Sequence, residues 1–172
     1  MYQVGELIVY GAEGVCRVVS VGPLDMRGAQ KGLDYYTLEP LYRGGKIFTP
    51  VDTTVTTRPV MTKEEANALI AQIPDIPEEI YENSNPRLLN EHYQAYLKSY
   101  DSMDQVRLIR AIYAKGRNAA GKGRHLGQVD ERAIKRAEEM LHGELAAALG
   151  IDVDEVKDYI IRTVEGLEKP SK

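Results

Sequence analysis

The segment VTTRPVMTKEEANALIAQIP, residues 55–74, decides the fold because the hydrophobic period of the chain changes inside it. On its N-terminal side, short β-branched runs alternate with glycine-containing turns, which is typical of β structure. On its C-terminal side, apolar residues recur about every three to four positions, which is typical of amphipathic helices. Thr62-Lys63-Glu64-Glu65 has the sequence of a capping box and predicts that a helix begins directly after Thr62. The chain is therefore predicted to be α+β, with a β region followed by a helical region.

The β region contains short segments with strand composition at residues 7–10, 15–21, 35–42, 47–51 and 55–60. Arg43-Gly44-Gly45-Lys46 is the strongest hairpin signal, since Gly-Gly supplies the positive φ angles of a primed two-residue turn. Pro50 indicates an edge strand or a strand end, because proline cannot donate to a sheet ladder. Five short strands with tight turns predict a small, strongly bent five-stranded barrel over residues 1–61.

The helical region is predicted to hold a first helix after Thr62, helices over about 86–100, 102–115 and 130–149, and a last helix that ends near Gly166. Pro74, Pro77 and Pro86 indicate a linker, so residues 62–85 are predicted as one helix plus a proline-rich connection. A compact all-helical domain is then expected over residues 86–168, followed by a frayed tail at 169–172. The four glycines of 116–127 predict a flexible connection, and Asp152-Val153-Asp154-Glu155 predicts a second capping box.

Length and composition limit the class of protein. A chain of 172 residues suits one or two domains, and no apolar run approaches the ~20 residues of a membrane helix. The N-terminal residues MYQVGELIVYG lack the basic and long apolar parts of a secretory signal. Cys16 is the single cysteine, which excludes an intrachain disulfide and fits a reducing compartment. We therefore expect a cytoplasmic monomer without membrane contact, in which Cys16 is a buried small hydrophobe.

Positive charge is concentrated in residues 107–136, which we call the basic segment, although the net charge of the chain is −4. The segment has two acids and nine bases, namely Arg107, Arg110, Lys115, Arg117, Lys122, Arg124, Arg132, Lys135 and Arg136. Because charge is screened within roughly 8 to 10 Å, local charge rather than net charge decides what a surface attracts. Two interpretations stay open from charge alone: a solvated face paired with acids of 137–168, or a surface that contacts nucleic-acid phosphates.

Catalytic and cofactor motifs are absent from the sequence. Residues 116–123 resemble a phosphate-binding P-loop, but Gly123 stands where a Ser or Thr must hold Mg²⁺, and a helix rather than a strand precedes them. The histidines His92, His125 and His142 lack the spacing of a zinc site. No Ser-His-Asp or Cys-His arrangement is visible. We therefore expect a protein that is not an enzyme and that uses no metal or cofactor.

Four stretches together resemble the CarD/CdnL family of bacterial transcription regulators. They are VGELIVYGAEGVCRVVSV at 4–21, YYTLEPLY at 35–42, FTPVD at 48–52 and ERAIKRAEEMLHGELAAAL at 131–149. The N-terminal module also occurs in the transcription-repair coupling factor, a large helicase. Here a small helical region follows the module instead of a motor, which favours CarD/CdnL.

The resemblance implies a Tudor-like N-terminal barrel that docks on the β subunit of RNA polymerase. It also implies a helical domain that contacts promoter DNA, without reading its sequence, at the upstream edge of the transcription bubble and so modulates open-complex stability. The nine bases of the basic segment are the expected DNA contacts. The polymerase contacts are expected on the third and fourth strands, at Tyr42, Arg43, Lys46, Ile47 and Phe48. The alternative is a protein-interaction adaptor that does not bind DNA.

One family feature is missing. Many members place a tryptophan early in the helical domain, where it inserts at the bubble edge, and this chain has no Trp. Matching by position puts Leu89 there, and leucine can act as a wedge between base steps. Tyr93 is the second candidate for this wedge. Ordinary helix packing is the competing interpretation for Leu89.

Overall fold

In the computed structural model, strands give way to helices at the predicted change of period. The structure describes residues 1–168, in which five strands precede five α-helices, so the α+β prediction is confirmed. The predicted tail, residues 169–172, lies outside the described residues. The chain divides between Val60 and Met61 into two compact units, which we call the sheet unit and the helical unit.

The sheet unit is a five-stranded antiparallel sheet in the order β4-β3-β2-β1-β5. Its strands are β1 (Leu7–Tyr10), β2 (Val15–Pro23), β3 (Asp34–Pro40), β4 (Ile47–Pro50) and β5 (Thr57–Pro59). β4 and β5 are the edges, and Pro50 ends β4, as its missing N–H requires.

The sheet is strongly bent, as predicted. The register between β2 and β3 shifts between Val18 and Ser20, and such a bulge increases local twist. The hydroxyl of Tyr10 on β1 donates to Thr49 Oγ1 on β4 at 3.0 Å, although two strands lie between β1 and β4 in the sheet order. This contact requires the sheet to curl on itself, as a Tudor-like domain does. Within residues 1–60 the ladder does not close, because β4 and β5 are not paired.

The concave side of the sheet holds a small core. Its buried members are Ile8, Cys16, Val18, Tyr36 and Leu38. Burial raises the pKa of the Cys16 thiol to about 11, so this cysteine stays protonated and is a packing residue, as predicted.

The β3–β4 hairpin forms, but its predicted two-residue turn is wrong. β3 ends at Pro40 and β4 begins at Ile47, so the connection is longer than Gly44-Gly45. Only Gly45 of the pair has a positive φ, at 94°. A primed turn needs positive φ at both central residues, and here the chain leaves the ladder before it reaches them.

The helical unit contains α1 (Lys63–Gln72), α2 (Pro86–Leu97), α3 (Ser102–Gly121), α4 (Gln128–Leu149) and α5 (Val156–Glu168). The predicted capping box is confirmed: the Glu65 N–H donates to Thr62 Oγ1, and the Thr62 N–H donates to Glu65 Oε1, both at 3.1 Å. Gly150 ends α4 in the left-handed conformation.

Two hydrophobic clusters share the long helices α3 and α4. The first joins α1 and α5 to them, with the buried residues Ala66, Leu69, Ile70, Ile76, Val106, Leu141, Leu145, Ala146, Leu149 and Val156. The second joins α2 to them, with Leu89, Tyr93, Leu97, Leu108, Ile112, Ala133 and Ala137. The predicted helix after Thr62 is present, but the helical unit begins at Met61 rather than at the predicted residue 86. Helix α1 and Ile76 are part of the helical core, because their apolar residues are buried against α3, α4 and α5.

Two local predictions in the helical region are also wrong. α3 continues through Gly116 to Gly121, so the connection to α4 is the short loop of residues 122–127 rather than a flexible 116–127. Gly116 lies inside α3, and Leu126 packs beside it, 3.4 Å from where a Cβ would stand. Asp152 makes no side-chain capping bond, and a short 3-10 turn precedes α5 instead of a second capping box.

Candidate nucleic-acid interface

The basic segment folds into the C-terminal half of α3, the 122–127 loop and the first two turns of α4. Its nine cationic side chains fall into two groups according to their neighbours. Five of them have acidic partners: Arg107, Arg110, Lys115, Arg117 and Arg136. The remaining four, within the part of the chain described, make no ion pair: Lys122, Arg124, Arg132 and Lys135. Sequence alone suggested one surface, and the structure divides it.

Glu78 accounts for two of the paired arginines. Its Oε2 accepts from Arg117 Nη2 at 2.6 Å, and its Oε1 lies 3.4 Å from Arg110 Nη2. Arg110 also donates from Nε to the backbone carbonyl of Ile76 at 3.1 Å, and only 25% of its side chain is exposed. These bonds attach the segment after α1 to α3. Arg110 therefore has a structural role instead of the predicted DNA contact, because its donors are occupied and its side chain is mostly buried.

Lys115 belongs to a buried polar cluster. Its Nζ lies 2.9 Å from Asp130 Oδ1, and their side chains are 14% and 6% exposed. The Tyr93 hydroxyl donates to the same carboxylate oxygen. Burial first, and then this bond and the charge of Asp130, raise the pKa of Tyr93 far above its usual value. Lys115 is thus removed from the predicted DNA set. It joins α3 to α4, and Tyr93 adds α2.

Two further arginines are paired but exposed. Arg107 bonds to Asp104 at 3.0 Å and Arg136 lies 3.8 Å from Glu139, each one helical turn away. Exposed pairs of this kind contribute only about 0–1 kcal/mol, so either arginine can exchange its carboxylate for another anion. Each therefore stays available at a small energetic cost.

The four unpaired cations surround one end of the helical bundle, which we call the basic end. Lys122 and Arg124 lie in the loop, and Arg132 and Lys135 lie one turn apart on an exposed face of α4. Four chain steps from Arg124 to Gln128 span at most about 14 Å, and α4 then rises about 10 Å to Lys135. Glu82, just before α2, lines the same depression as Lys122 and Arg124. The N-terminus of α2 therefore reaches this end as well.

Backbone dipoles add to the charge of the basic end. α4 begins there after Gly127, which has no side chain to cap the first N–H groups of the helix. Free N–H groups at a helix N-terminus carry partial positive charge and favour anions. Asp130 sits in this first turn, but its carboxylate is already bonded to Lys115 and Tyr93. The basic end therefore combines four exposed cations with one helix dipole.

Both predicted wedge residues lie in the core, which corrects that prediction. Leu89 is 7% and Tyr93 is 2% exposed, and both pack in the α2 cluster. The neighbouring Leu88 is instead 38% exposed, in the first turn of α2 beyond Pro86. The helical period could have indicated this, because Leu89, Tyr93 and Leu97 already complete the buried stripe and leave Leu88 off it.

The five predicted polymerase-contact residues lie in and beside edge strand β4. Tyr42 is 48% and Phe48 is 40% exposed, whereas Ile47 packs partly against the sheet core. Arg43 is paired with Glu13, and Lys46 Nζ is 4.0 Å from Glu39. The strand thus presents an unpaired backbone edge with exposed aromatic side chains beside it.

Three other kinds of site concern residues 1–168: a metal centre, a membrane span and a phosphate-binding loop. No set of three or more described His, Cys, Asp or Glu side chains is close enough to hold a metal ion. Of the helices in this range, none has the length and apolar character needed to span a bilayer. Residues 116–121, which resemble part of a P-loop, are helical and cannot wrap around a phosphate as a loop does.

Comparison with known families bears on the sheet unit. Residues 2–61 match the family model described as the CarD-like/TRCF RID domain. A search among curated proteins finds no match. The matched residues coincide with the bent five-stranded sheet, so sequence and fold agree on the same module. The sheet unit is therefore similar to a CarD-like/TRCF RID domain, which supports an RNA polymerase-interacting, transcription-related protein and is consistent with the CarD/CdnL-type family.

Proposed function

We propose that this protein is a non-enzymatic transcription regulator that bridges the β subunit of RNA polymerase and promoter DNA. In this proposal the sheet unit binds polymerase, and the basic end of the helical unit contacts DNA without sequence preference at the upstream edge of the transcription bubble. The result is a change in open-complex stability. The protein acts as a monomer in the cytoplasm. The observation that carries the DNA contact is the set of four exposed cations without acidic partners in the described chain.

Phosphate neutralisation is the physical basis of the DNA contact. The four cations of the basic end make no ion pair in the described chain. They can therefore pair with phosphates without breaking an ion pair inside the protein. Phosphate contacts position a protein on DNA but carry no sequence information. A contact of this size supports only weak binding to free DNA, with a Kd of about 10⁻⁴ to 10⁻⁶ M.

Polymerase supplies the remaining affinity. An edge strand can accept a strand of a partner, and main-chain hydrogen bonds then give affinity while side chains give specificity. In β4, Phe48 and the adjacent Tyr42 are the exposed aromatic residues suited to such a contact. Attachment to polymerase raises the effective concentration of the basic end near the promoter, so two weak contacts together give stable residence.

Leu88 is the side chain proposed to touch the bubble edge. It is apolar, exposed and located in the first turn of α2, at the end of the bundle that also holds Lys122 and Arg124. Leucine can insert at an unstacked base step, although it offers less stacking area than an indole. We therefore expect modest stabilisation of melted DNA.

A salt titration of DNA affinity tests the DNA contact. We expect log Kd to depend on log salt with a slope that corresponds to about four phosphates, or roughly 3 to 4 in magnitude. The quadruple variant Lys122→Gln/Arg124→Gln/Arg132→Gln/Lys135→Gln should lose most of this slope. Arg110→Gln/Arg117→Gln is the matched control for Arg132→Gln/Lys135→Gln, because both remove two charges but only the first takes them from arginines held by Glu78. An unchanged slope in the quadruple variant would favour the adaptor without DNA binding.

Polymerase capture tests the other contact, with the full chain and the isolated β-subunit lobe. Phe48→Ala should lose binding by about tenfold or more, as expected for a central aromatic anchor. Val55→Ala is the control, because Val55 is similarly exposed, at 39%, but lies outside β4. The lifetime of competitor-resistant open complexes should then fall with Phe48→Ala, the quadruple variant and Leu88→Ala. Capture that persists together with unchanged lifetimes would again support the adaptor.

A further inference from the structure

A cavity of about 350 Å³ opens on the helical unit, apart from the basic end. Its apolar wall includes Val106 and Ile109 of α3, Leu141 of α4, and Ile160 and Ile161 of α5. Ligand pockets in proteins are typically of about 300–1,000 Å³ and mostly apolar, so the cavity lies in the size range of a small-molecule site.

The cavity is elongated along α3. Its lining residues on that helix run from Val106 to Arg117 at helical spacing, a rise of about 16 Å. The residues at 106, 109, 110, 113 and 117 share one helix face, so the wall is a continuous strip. An extended aliphatic chain fits such a slot better than a compact ring system does.

Charges stand at the rim, and most of them are already committed. Glu78 holds Arg110 and Arg117, while burial first and then the nearby Glu138 raise the pKa of the Tyr113 hydroxyl. Lys157 is the exception among the described lining residues, because it is exposed and has no carboxylate partner. With the three cations Arg110, Arg117 and Lys157 and the two carboxylates of Glu78 and Glu138, the rim has one net positive charge.

His142 also lines the cavity, together with Lys157. Burial lowers the pKa of His142, the neighbouring Glu138 raises it, and the neighbouring Lys157 lowers it. The imidazole is thus neutral at pH 7 and can offer an N–H to an anion that also meets the Lys157 ammonium. A cation and a neutral N–H donor beside an apolar cavity suit a ligand that has one anionic group and an aliphatic chain.

We propose that this cavity binds a monoanionic amphiphile, with its aliphatic chain along α3 and its carboxylate at Lys157 and His142. A monoanion fits because one cation is uncompensated, and a dianion would add unpaired charge beside Glu138. The site is independent of the proposed DNA contact, since it uses none of the four cations of the basic end. Failure of either proposal therefore leaves the other intact.

Three probes separate the contributions of chain and charge in isothermal titration calorimetry of the full protein. Decanoate has both, decan-1-ol has the chain only, and acetate has the charge only; the first two are kept below their aggregation limits. We expect decanoate to bind with a Kd of about 10–100 µM, in line with the efficiency of small ligands. Decan-1-ol should bind about three- to fivefold more weakly, and acetate should not bind measurably.

Two surface variants test the location. Lys157→Gln should weaken decanoate by the same three- to fivefold and leave decan-1-ol unchanged, since only one ligand has a charge to lose. Lys98→Gln, which removes an exposed lysine from outside the cavity, should change neither. Ile161→Trp should fill the mouth and weaken both ligands more than tenfold, with thermal unfolding as the check on folding.

Each outcome decides a part of the proposal. Equal affinity for decanoate and decan-1-ol, or no effect of Lys157→Gln, would overturn the anionic specificity. Undiminished binding to Ile161→Trp, or absence of decanoate binding to the wild-type chain, would overturn the site.

Discussion

The two groups of the basic segment differ in their partners and not in their composition. The arginines at 110 and 117 lie near Glu78, and Lys115 lies against Asp130, so these cations hold the helical unit together. The cations of the basic end make no ion pair within the described chain, although Glu82 and Glu131 lie nearby. Residue type gives a charge, but contacts decide whether that charge is free to bind a ligand. Counting cations in the segment therefore overstates the interface by about a factor of two.

The largest expected effect comes from the most buried pair. Asp130→Ala leaves the Lys115 ammonium without its partner and the Tyr93 hydroxyl without its acceptor. Loss of one member of a buried pair costs about 3–5 kcal/mol of unfolding free energy, which urea denaturation measures.

The neighbouring acid supplies the control for that measurement. Glu131 is exposed, and Glu131→Ala should change unfolding free energy by no more than about 0.5 kcal/mol. If both variants lose the same small amount, Lys115 is solvated in the folded state, and the division of the basic segment into two groups fails.

Thr62 and Asp152 give a second comparison of residues that look alike in sequence but differ in their contacts. Thr62 and Asp152 both start a capping-box sequence, but only the Thr62 side chain makes the bond. Thr62→Ala should cost about 1 kcal/mol of unfolding free energy, and Asp152→Ala less than about 0.5 kcal/mol. Thermal or urea unfolding distinguishes them, and equal losses would show that the sequence pattern alone decides the contribution.

Glu78→Gln tests whether the ion pairs with Glu78 prevent Arg110 and Arg117 from contributing to the proposed DNA binding. Removal of the shared carboxylate charge should raise DNA affinity about two- to threefold at low salt, because local negative charge is lost and Arg117 is released. Glu155→Gln, which neutralises an exposed acid before α5, is the matched control in fluorescence anisotropy. An equal rise in both variants would point to net charge rather than to release.

The smallest expected effect is a pH dependence at His142. Because its folded pKa is below the usual value, the unfolded chain takes up a proton first as pH falls below about 6.5. Stability should therefore be fully present above that pH and decline as pH falls toward the folded pKa. His142→Gln should remove this component between pH 7.5 and 5.5 in urea unfolding, and an unchanged pH profile would show that the imidazole charges freely.

Local sequence was sufficient to predict the architecture. Strand composition, the change of period after Met61 and the capping box at Thr62 each depend on a few neighbouring residues, and the structure agrees with all three. The errors arose where distant residues decide the outcome. Gly116 lies within a helix that continues to Gly121 and packs against Leu126, and α1 joins the core because α4 and α5 cover its apolar face.

The candidate interface was less accessible to prediction for the same reason. The positions of the cations could be read from the sequence, but their partners Glu78 and Asp130 lie far along the chain from at least one cation they bind. Burial of Leu89 likewise depends on the fit between α2, α3 and α4. Periodicity favoured packing for Leu89 and exposure for Leu88, and that signal was the better guide.

The shortness of β4 has a consequence for how the protein would be used. An uncovered strand edge invites self-association, and natural sheets limit that hazard with brief edges, proline and lysine. β4 has four residues, ends in Pro50 and follows Lys46. The same features restrict the number of main-chain bonds that any visiting strand can form. In the proposed function, docking through β4 should therefore be quickly reversible, which would let one molecule serve successive rounds of initiation.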